Sequence, residues 1–258
     1  DNTKVIYAID TNSRRQYSMH IKNLKTGKLL NVSIKNTNGG SAWASDSKHF
    51  FYVKKNPKTL RTEKIYRHNI NDKKKDFLVY HEKDSTYSVY VSTSKSKKFI
   101  FISSYSTLTS EHQYLNSNKP LDKFNFIQSR INGLEYEVTH FKNNFYILTN
   151  HNNSKNYKIV KTSINKTGIE NWKKFIDHQE NVLIEDIDVF DNFYIISERS
   201  NGLNRLLVKS WNDSFEDYYI PMQGETYSLY VGYNPQFNSN KIRYIFSSLI
   251  TPRTIYEY

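Results

Sequence analysis

Residues 41–53 read SAWASDSKHFFYV: a short apolar segment, a polar turn at residues 45–48 and a second, more apolar segment. A polar loop follows, and then a third segment at residues 64–68, KIYRH. Short runs rich in aromatic and β-branched side chains, bounded by Asp and Ser, are typical of β-strands. The stretch therefore predicts an antiparallel meander, and no window of the chain has the sustained apolar spacing of a helix.

The same pattern recurs along the chain. Strand pairs are predicted at residues 87–91 and 99–102, 138–141 and 145–148, 186–190 and 193–196, and 227–231 and 242–246, with third strands at 112–115, 157–160, 205–208 and 254–257. An opening pair, residues 5–9 and 17–21, fits the later strands of a further unit. Corresponding strands lie roughly 40 to 50 residues apart, which is the size of a four-stranded propeller blade.

This repeat predicts an all-β fold, a β-propeller of about six four-stranded blades. A β-sandwich is the alternative, but its strands do not need so long a repeat. No linker rich in Pro, Gly or Ser interrupts the chain, so residues 1–258 are predicted to form a single propeller region. Gly39 and Gly40 are interpreted as a turn between blades. Because the chain starts directly with a strand and without Met, we expect it to be cut from a longer one.

Composition bounds the function. Aromatic residues make up 15% of the chain, including 21 Tyr and 15 Phe, which argues against disorder. There is no Cys, so disulfides, thiol nucleophiles and thiolate metal sites are excluded, and a cytoplasmic location is predicted. No segment approaches the roughly 18 apolar residues of a membrane span, so no membrane partner is predicted.

The chain is basic, with 37 Lys and Arg against 25 Asp and Glu and a net charge of +12. Nucleic-acid binding would need these charges to converge on one face. Many of them are lysines in predicted turns, at residues 54–55, 73–75 and 95–98. Turn lysines usually form a solvated rim, so nucleic acid is the disfavoured partner.

The motifs of common catalytic and metal sites are missing. The chain has no Gly-x-Ser-x-Gly, no His-Glu-x-x-His and no glycine-rich phosphate loop. His140, His151 and His178 are interpreted as surface or loop residues without a metal role. No cofactor and no metal are predicted.

Two groups of acidic residues are candidates for hydrolytic chemistry, because glycosidases use paired carboxylates. Glu135 and Glu137 form one group, and Glu185, Asp186 and Asp188 form the other. Strand alternation places Asp186 and Asp188 on one face. The favoured interpretation is that these groups bond backbone amides or nearby lysines, and hydrolysis by them is not predicted.

Arg14 and Arg15 stand in a polar loop between the two opening strands. The planar guanidinium suits bidentate recognition of a carboxylate. From composition alone, two interpretations stay open: a contact to a ligand and a salt bridge between blades.

The loop also carries a family resemblance. Residues 13–17 (SRRQY) and 23–27 (NLKTG) resemble the propeller of the oligopeptidase B (protease II) branch of the prolyl oligopeptidase family of serine peptidases. Further segments agree in order: residues 43–47 (WASDS), 66–68 (YRH), 82–87 (EKDSTY), 109–111 (TSE), 135–136 (EY), 198–203 (ERSNGL), 233–235 (YNP), 244 (Y), 247–248 (SS) and 251–252 (TP). Each segment alone is weak, but they are collinear and span essentially the whole chain.

The resemblance implies a seven-bladed propeller that caps an α/β-hydrolase domain, which carries the Ser-Asp-His triad. The complete enzymes cleave short peptides after Arg or Lys, and the propeller excludes folded proteins. The triad, the oxyanion hole and the acidic pocket for basic side chains belong to the hydrolase domain, so no catalytic residue is assigned in this chain. The family arginine that handles substrate matches Arg15, with Arg14 as its neighbour.

The predicted function is therefore that of the non-catalytic, substrate-gating propeller of a serine oligopeptidase, with no activity of its own. Its partners would be the hydrolase domain and, through the complete enzyme, short basic peptides. Self-association through unclosed blade edges is also expected. The alternative is a stand-alone protein-binding propeller, or the remnant of a split or truncated peptidase gene.

Overall fold

The structure is a computed structural model that describes residues 2–72, 76–222 and 224–258. Residues 73–75, predicted above as turn lysines, lie outside the described residues. The chain divides into two compact units, Asp1–Gly133 and Leu134–Tyr258, called unit 1 and unit 2. Apart from one turn of 3₁₀-helix at Ile169–Asn171, the regular structure described is β-strand.

Unit 1 opens with a six-stranded antiparallel sheet in sequence order. Its strands are β1 (Lys4–Ile9), β2 (Tyr17–Asn23), β3 (Leu29–Trp43), β4 (His49–Lys55), β5 (Thr62–Asn69) and β6 (Phe77–His81). Lys54 and Lys55, predicted in a turn, instead end strand β4, where hydrogen bonds to β5 fix their backbone.

Strand β3 contributes to two neighbouring blades within unit 1. Its first part pairs with β2 up to Thr37, and from Thr37 onward it pairs with β4. Gly39 and Gly40, predicted as a turn between blades, lie inside β3 in the irregular stretch where the partner changes. Gly39 has a φ of +86°, a backbone conformation that glycine tolerates best.

The second sheet of unit 1 has four antiparallel strands in sequence order. They are β7 (Ser88–Thr93), β8 (Phe99–Tyr105), β9 (Ser110–Asn116) and β10 (Asn125–Gln128). Residues 95–98 form the turn between β7 and β8, as predicted.

Unit 2 contains two four-stranded antiparallel sheets and one three-stranded sheet, each in sequence order. The first has β11 (Tyr136–Phe141), β12 (Asn144–Thr149), β13 (Lys158–Ser163) and β14 (Lys173–Ile176). The second has β15 (Leu183–Val189), β16 (Phe193–Ser200), β17 (Leu203–Ser210) and β18 (Tyr218–Tyr219). The third has β19 (Ser228–Val231), β20 (Arg243–Ser247) and β21 (Thr254–Glu257).

Within each unit, successive sheets bury apolar side chains against each other. In unit 1, Phe51 and Ile65 of the first sheet pack with Val89 and Ile100 of the second. The two parts of the first sheet also face each other, because Met19 of β2 lies in one cluster with residues of β4. In unit 2, separate clusters join the first sheet to the second and the second to the third.

Repeated antiparallel meanders that pack face to face define a β-propeller, and the predicted all-β fold is confirmed. The described residues form five hydrogen-bonded sheets, whereas the sequence predicted about six blades. The difference lies in the first sheet, where the continuous strand β3 joins the strands of the opening blade to those of the next blade.

Candidate substrate-facing site

Each sheet has two ends. In unit 1 we call the end that carries the loops after β1, β4 and β8 the hairpin end, and the opposite end the turn end. In unit 1 the hairpin end contains residues 10–16, 56–61 and 106–109, together with the connection at residues 82–87. Lys55 Nζ donates to the Arg15 carbonyl (2.7 Å), so the loops after β1 and β4 lie side by side.

Asp10 shapes the loop that carries the two predicted site residues. Its Oδ2 accepts a hydrogen bond from the Arg15 N–H (2.6 Å), and its Oδ1 accepts one from the Asn12 N–H (3.0 Å). Arg15 has a φ of +55° and Ser13 a φ of +53°, which are uncommon values for residues other than glycine. The Asp10 carboxylate therefore holds an unusual backbone conformation at Arg15.

The carboxylate of Asp10 is kept ionised by these contacts. Desolvation acts to raise its pKa, but hydrogen bonds from the backbone of Asn12, Arg15, Arg14 and Ser13 outweigh desolvation and lower the pKa.

Arg14 and Arg15 are both exposed. Neither guanidinium forms an ion pair with a carboxylate in the described part of the chain. The interpretation of these residues as a salt bridge between blades therefore finds no partner among the described residues. The interpretation as a ligand contact stays a prediction.

A second polar feature at the hairpin end, the Arg130 network, is largely buried. Arg130 Nη2 donates to Glu82 Oε2 (2.7 Å) and to Glu111 Oε1 (3.1 Å), and the Arg130 backbone N–H donates to Glu111 Oε2 (2.9 Å). The guanidinium lies 3.7 Å from the centre of the Tyr87 ring, an attractive cation–π geometry. One arginine thus satisfies two buried carboxylates.

The network shifts the titration of its members. Burial acts to raise the pKa of Glu82, but hydrogen bonds from Arg130, the Asp84 N–H and Tyr80 outweigh burial and lower it. Burial is the largest cause that raises the pKa of Tyr80, to about 12, and the neighbouring Glu82 adds to it. The pKa of Arg130 is raised, because the hydrogen bonds to Glu82 and Glu111 outweigh its desolvation.

Arg61 ties the loop after β4 to the connection that enters β7. Its Nη1 donates to the carbonyls of Asp84 (3.0 Å) and Tyr87 (2.7 Å), and its Nη2 donates to Glu63 Oε2 (3.1 Å). The segments at residues 82–87 and 109–111, which carried part of the family resemblance, therefore meet in one place. Arg61 and Arg130 were not predicted from the sequence, because neither lies in a recognised motif. The available indication was a glutamate in a strand, which needs a cation as a partner if it is buried.

The acidic groups of unit 2 are engaged in local bonds. Glu185 forms an ion pair with Arg199 (2.5 Å) and accepts from Asn204 (2.9 Å). Regular pairing of residues 186–189 with β16 places Asp186 and Asp188 on one face of β15, as predicted. Asp186 accepts from the Ile187 N–H (2.8 Å), in agreement with the favoured interpretation.

Glu135 likewise accepts from Asn150 (3.4 Å) and from the Tyr157 hydroxyl (3.2 Å). These are the bonds of a structural carboxylate.

One histidine prediction is wrong. His140 lies in strand β11 with only 1% of its surface exposed, because its ring packs on Phe145 and its Nε2 bonds the Lys142 carbonyl (2.8 Å). His151 and His178 do lie in loops. Within residues 2–72, 76–222 and 224–258, no three His, Asp or Glu side chains are grouped as a metal site would require. Nor does that part of the chain contain a helix long and apolar enough to cross a membrane.

The sheets and their packing define the protein as a β-propeller, and comparison with known proteins gives its family. Residues 1–258 match the family model described as "Prolyl oligopeptidase, N-terminal beta-propeller domain". The chain belongs to the prolyl oligopeptidase family. This confirms the resemblance drawn from the loop at residues 13–17 and the collinear segments after it.

Relatives show how much of a complete protein the chain matches. Dipeptidyl aminopeptidase BI of Pseudoxanthomonas mexicana is 34% identical over the whole chain, which spans 35% of that protein. Protease 2 of Moraxella lacunata is 27% identical over 99% of the chain and 36% of its own length. The structure of oligopeptidase B from Leishmania major superposes with a TM-score of 0.91 at 23% identity, over 99% of this chain and 37% of that one. The chain therefore spans about a third of the length of these relatives.

Proposed function

We propose that the chain is the non-catalytic, substrate-gating propeller of a serine oligopeptidase that cleaves short peptides after Arg or Lys. The observation that supports this most is the match of the whole chain to the N-terminal propeller model, together with its span of 35% of dipeptidyl aminopeptidase BI. In this proposal an α/β-hydrolase domain supplies the nucleophile, and this chain restricts access to flexible peptides.

The hairpin end of unit 1 is the proposed substrate-facing surface. Arg15, with Arg14 beside it, offers an exposed guanidinium to a carboxylate or carbonyl oxygen of a peptide. Support comes from the fixed backbone of Arg15 and from the lack of an ion pair for either side chain within the described residues. Residues held in uncommon backbone conformations cluster at functional sites, which agrees with this assignment.

Two further expectations belong to this proposal. We propose a cytoplasmic location, which rests on the absence of cysteine. We also propose that residues 1–258 work as one domain in the complete enzyme.

The test uses a chimera in which this chain replaces the matching N-terminal part of dipeptidyl aminopeptidase BI. Arg15→Ala in the chimera should raise KM for a short dibasic fluorogenic peptide roughly 10-fold, the value of one lost charge-assisted hydrogen bond. Lys58→Ala is the matched control, because Lys58 is an exposed cation on the neighbouring loop. Equal KM values for the two variants, with unchanged melting temperatures, would contradict the role of Arg15.

A further inference from the structure

The turn end of unit 1 collects lysines that have no ion-pair partner. Exposed lysines occupy its loops, among them Lys48, Lys97, Lys98, Lys119 and Lys123. In the described part of the chain none of them forms an ion pair with a carboxylate. Each therefore presents a solvated ammonium group.

Hydrogen bonds between loops join three of these turns into one surface. Ser45 bonds Ser117 through the backbone (2.9 Å) and through the two hydroxyls (2.7 Å). Ser117 Oγ also donates to the Lys97 carbonyl (2.7 Å), and its N–H donates to the Lys98 carbonyl (2.9 Å). The turns before β4, before β8 and before β10 are thus in direct contact.

Acidic residues at this end leave the surface positive. Asp46 bonds His49 Nδ1 (2.5 Å), and Asp76 bonds His68 Nδ1 (2.7 Å) and the Tyr52 hydroxyl (2.7 Å). These two carboxylates are therefore engaged within the fold, and the exposed Asp72 and Asp122 are outnumbered by the lysines of the same end. Lysines in a solvated rim are common, but here they converge on one end of the sheets, which is the arrangement that polyanion binding needs.

Exposed apolar side chains border the lysines. Leu121 is 66% exposed and lies between Lys119 and Lys123, and Phe77 is 60% exposed at the start of β6. Arg67 connects the two sites, since its guanidinium lies 4.8 Å from the Phe77 ring centre and donates to the Pro120 carbonyl (2.9 Å). Leu78 and Phe126 extend the apolar edge on β6 and β10.

This combination favours a lipid surface over nucleic acid. Single-stranded nucleic acid stacks its bases on aromatic rings and arginine planes. Here Arg67 is already engaged with the Pro120 carbonyl and the Phe77 ring. Two of the four exposed apolar side chains, Leu78 and Leu121, are aliphatic and offer a base no stacking, which leaves Phe126 as the other aromatic ring. An anionic membrane uses both features, because lysines attract the headgroups while Leu and Phe insert at the acyl boundary.

We propose that the turn end of unit 1 is a docking surface for anionic phospholipid membranes. The absence of a membrane span is compatible with this, because peripheral binding needs only surface groups. Strand β4 begins directly after Lys48 at this surface and ends at Lys55, which contacts the Arg15 loop. Membrane docking and the proposed substrate-facing site are therefore at opposite ends of the same strands, and one does not obstruct the other.

The test is co-sedimentation of the 258-residue chain with phosphatidylcholine vesicles, with and without about 30% phosphatidylglycerol. Binding is expected only to the anionic vesicles, and about 1 M salt should abolish it, because the Debye length is then about 3 Å. Lys97→Glu/Lys119→Glu should weaken binding at least about 30-fold. The matched control Lys58→Glu/Lys83→Glu makes the same charge change at the hairpin end and should retain binding.

A second variant separates lipid from other polyanions. Leu121→Ser/Phe126→Ser keeps the lysines, and it should lower vesicle binding roughly 10-fold through lost insertion. A single-stranded oligonucleotide serves as the competing probe. The proposal is overturned if the chain does not bind anionic vesicles at low salt, or if the turn-end and hairpin-end lysine variants bind them equally. It is also overturned if the chain binds the oligonucleotide but not the vesicles.

Discussion

Arg130 is the single side chain on which the hairpin end of unit 1 depends most. It is 28% exposed, while its partners Glu82 and Glu111 are almost fully buried. Removing one partner of a buried ion pair is costly because the remaining charge stays desolvated. Here two carboxylates would lose their cation at once.

We therefore expect Arg130→Met to lower the free energy of unfolding by about 3 kcal/mol, the lower end of the range for a buried pair because Arg130 retains some exposure. The melting temperature should fall by roughly 6–12 °C. Arg199→Met is the control, since its ion pair with Glu185 is more exposed and is worth at most about 1 kcal/mol. Equal losses of stability in thermal unfolding would contradict the structural role of Arg130.

The lowered pKa of Glu82 predicts acid sensitivity. A carboxyl whose pKa is lower in the folded state stabilises the fold above its unfolded pKa of ~4.3, and this contribution is lost as pH falls through the folded pKa. We expect Glu82→Gln to be less stable at neutral pH and to lose less further stability in acid. Urea denaturation at neutral pH and at about pH 3.5 measures this, with the exposed Glu216→Gln as control. An unchanged dependence on pH in Glu82→Gln would refute the prediction.

Individual residues were predictable only where a motif marked them. Arg14 and Arg15 were selected from a short polar loop, and the structure leaves both exposed. Arg61 and Arg130 escaped notice because their roles arise from contacts with residues about 20 to 50 positions away in the chain. The prediction for His140 was wrong because its burial depends on which face of strand β11 it occupies and not on its residue type.

At the scale of elements, the apolar pattern predicts the first three strands of a blade, but it does not predict the fourth. Strands β6, β10, β14 and β18 have two to five residues, and most of their side chains are exposed. A strand shows an alternating apolar and polar pattern because one of its faces is buried, so a fourth strand with little buried surface has no clear pattern in the sequence. The continuous course of β3 was equally invisible, because Gly39 and Gly40 are typical of a turn.

Gly39 permits β3 to change partners. A Cβ at this position would lie 3.4 Å from Ala8 Cβ, which is tight, and the φ of +86° disfavours any L side chain. We expect Gly39→Ala to cost about 1–2 kcal/mol in the free energy of unfolding. Gly40→Ala is the comparison, because its φ is not positive and its near contacts are to the movable side chain of Asn38. If urea denaturation ranks Gly40→Ala as the more damaging, this account of β3 fails.

Each described sheet ends in two strands that pair on one side only. Two of these edge strands are β1, which pairs only with β2, and β21, which pairs only with β20. Open edges template pairing between chains, so we predict concentration-dependent self-association. Ile255→Lys, at a position 61% exposed on β21, should reduce it, whereas Leu24→Lys in a turn should not. A monomer in light scattering at all concentrations would contradict the prediction.

At the scale of the whole molecule, the proposed function depends on the α/β-hydrolase domain as much as on this chain. Its family is clear from the match of all 258 residues, yet it spans about a third of its relatives. The repeat and the collinear motifs were sufficient to predict both fold and family. Substrate choice and gating were beyond prediction from this sequence, because in the proposed function the reacting groups lie in the partner domain.

The most direct test of the central claim is hydrolysis of a dibasic fluorogenic peptide by this chain alone and by the chimera with the remainder of dipeptidyl aminopeptidase BI. We predict no turnover by the chain alone, turnover of the short peptide by the chimera, and no cleavage of a folded protein by either. A folded chimera that is inactive, or that degrades folded protein as readily as the peptide, would contradict the gating function.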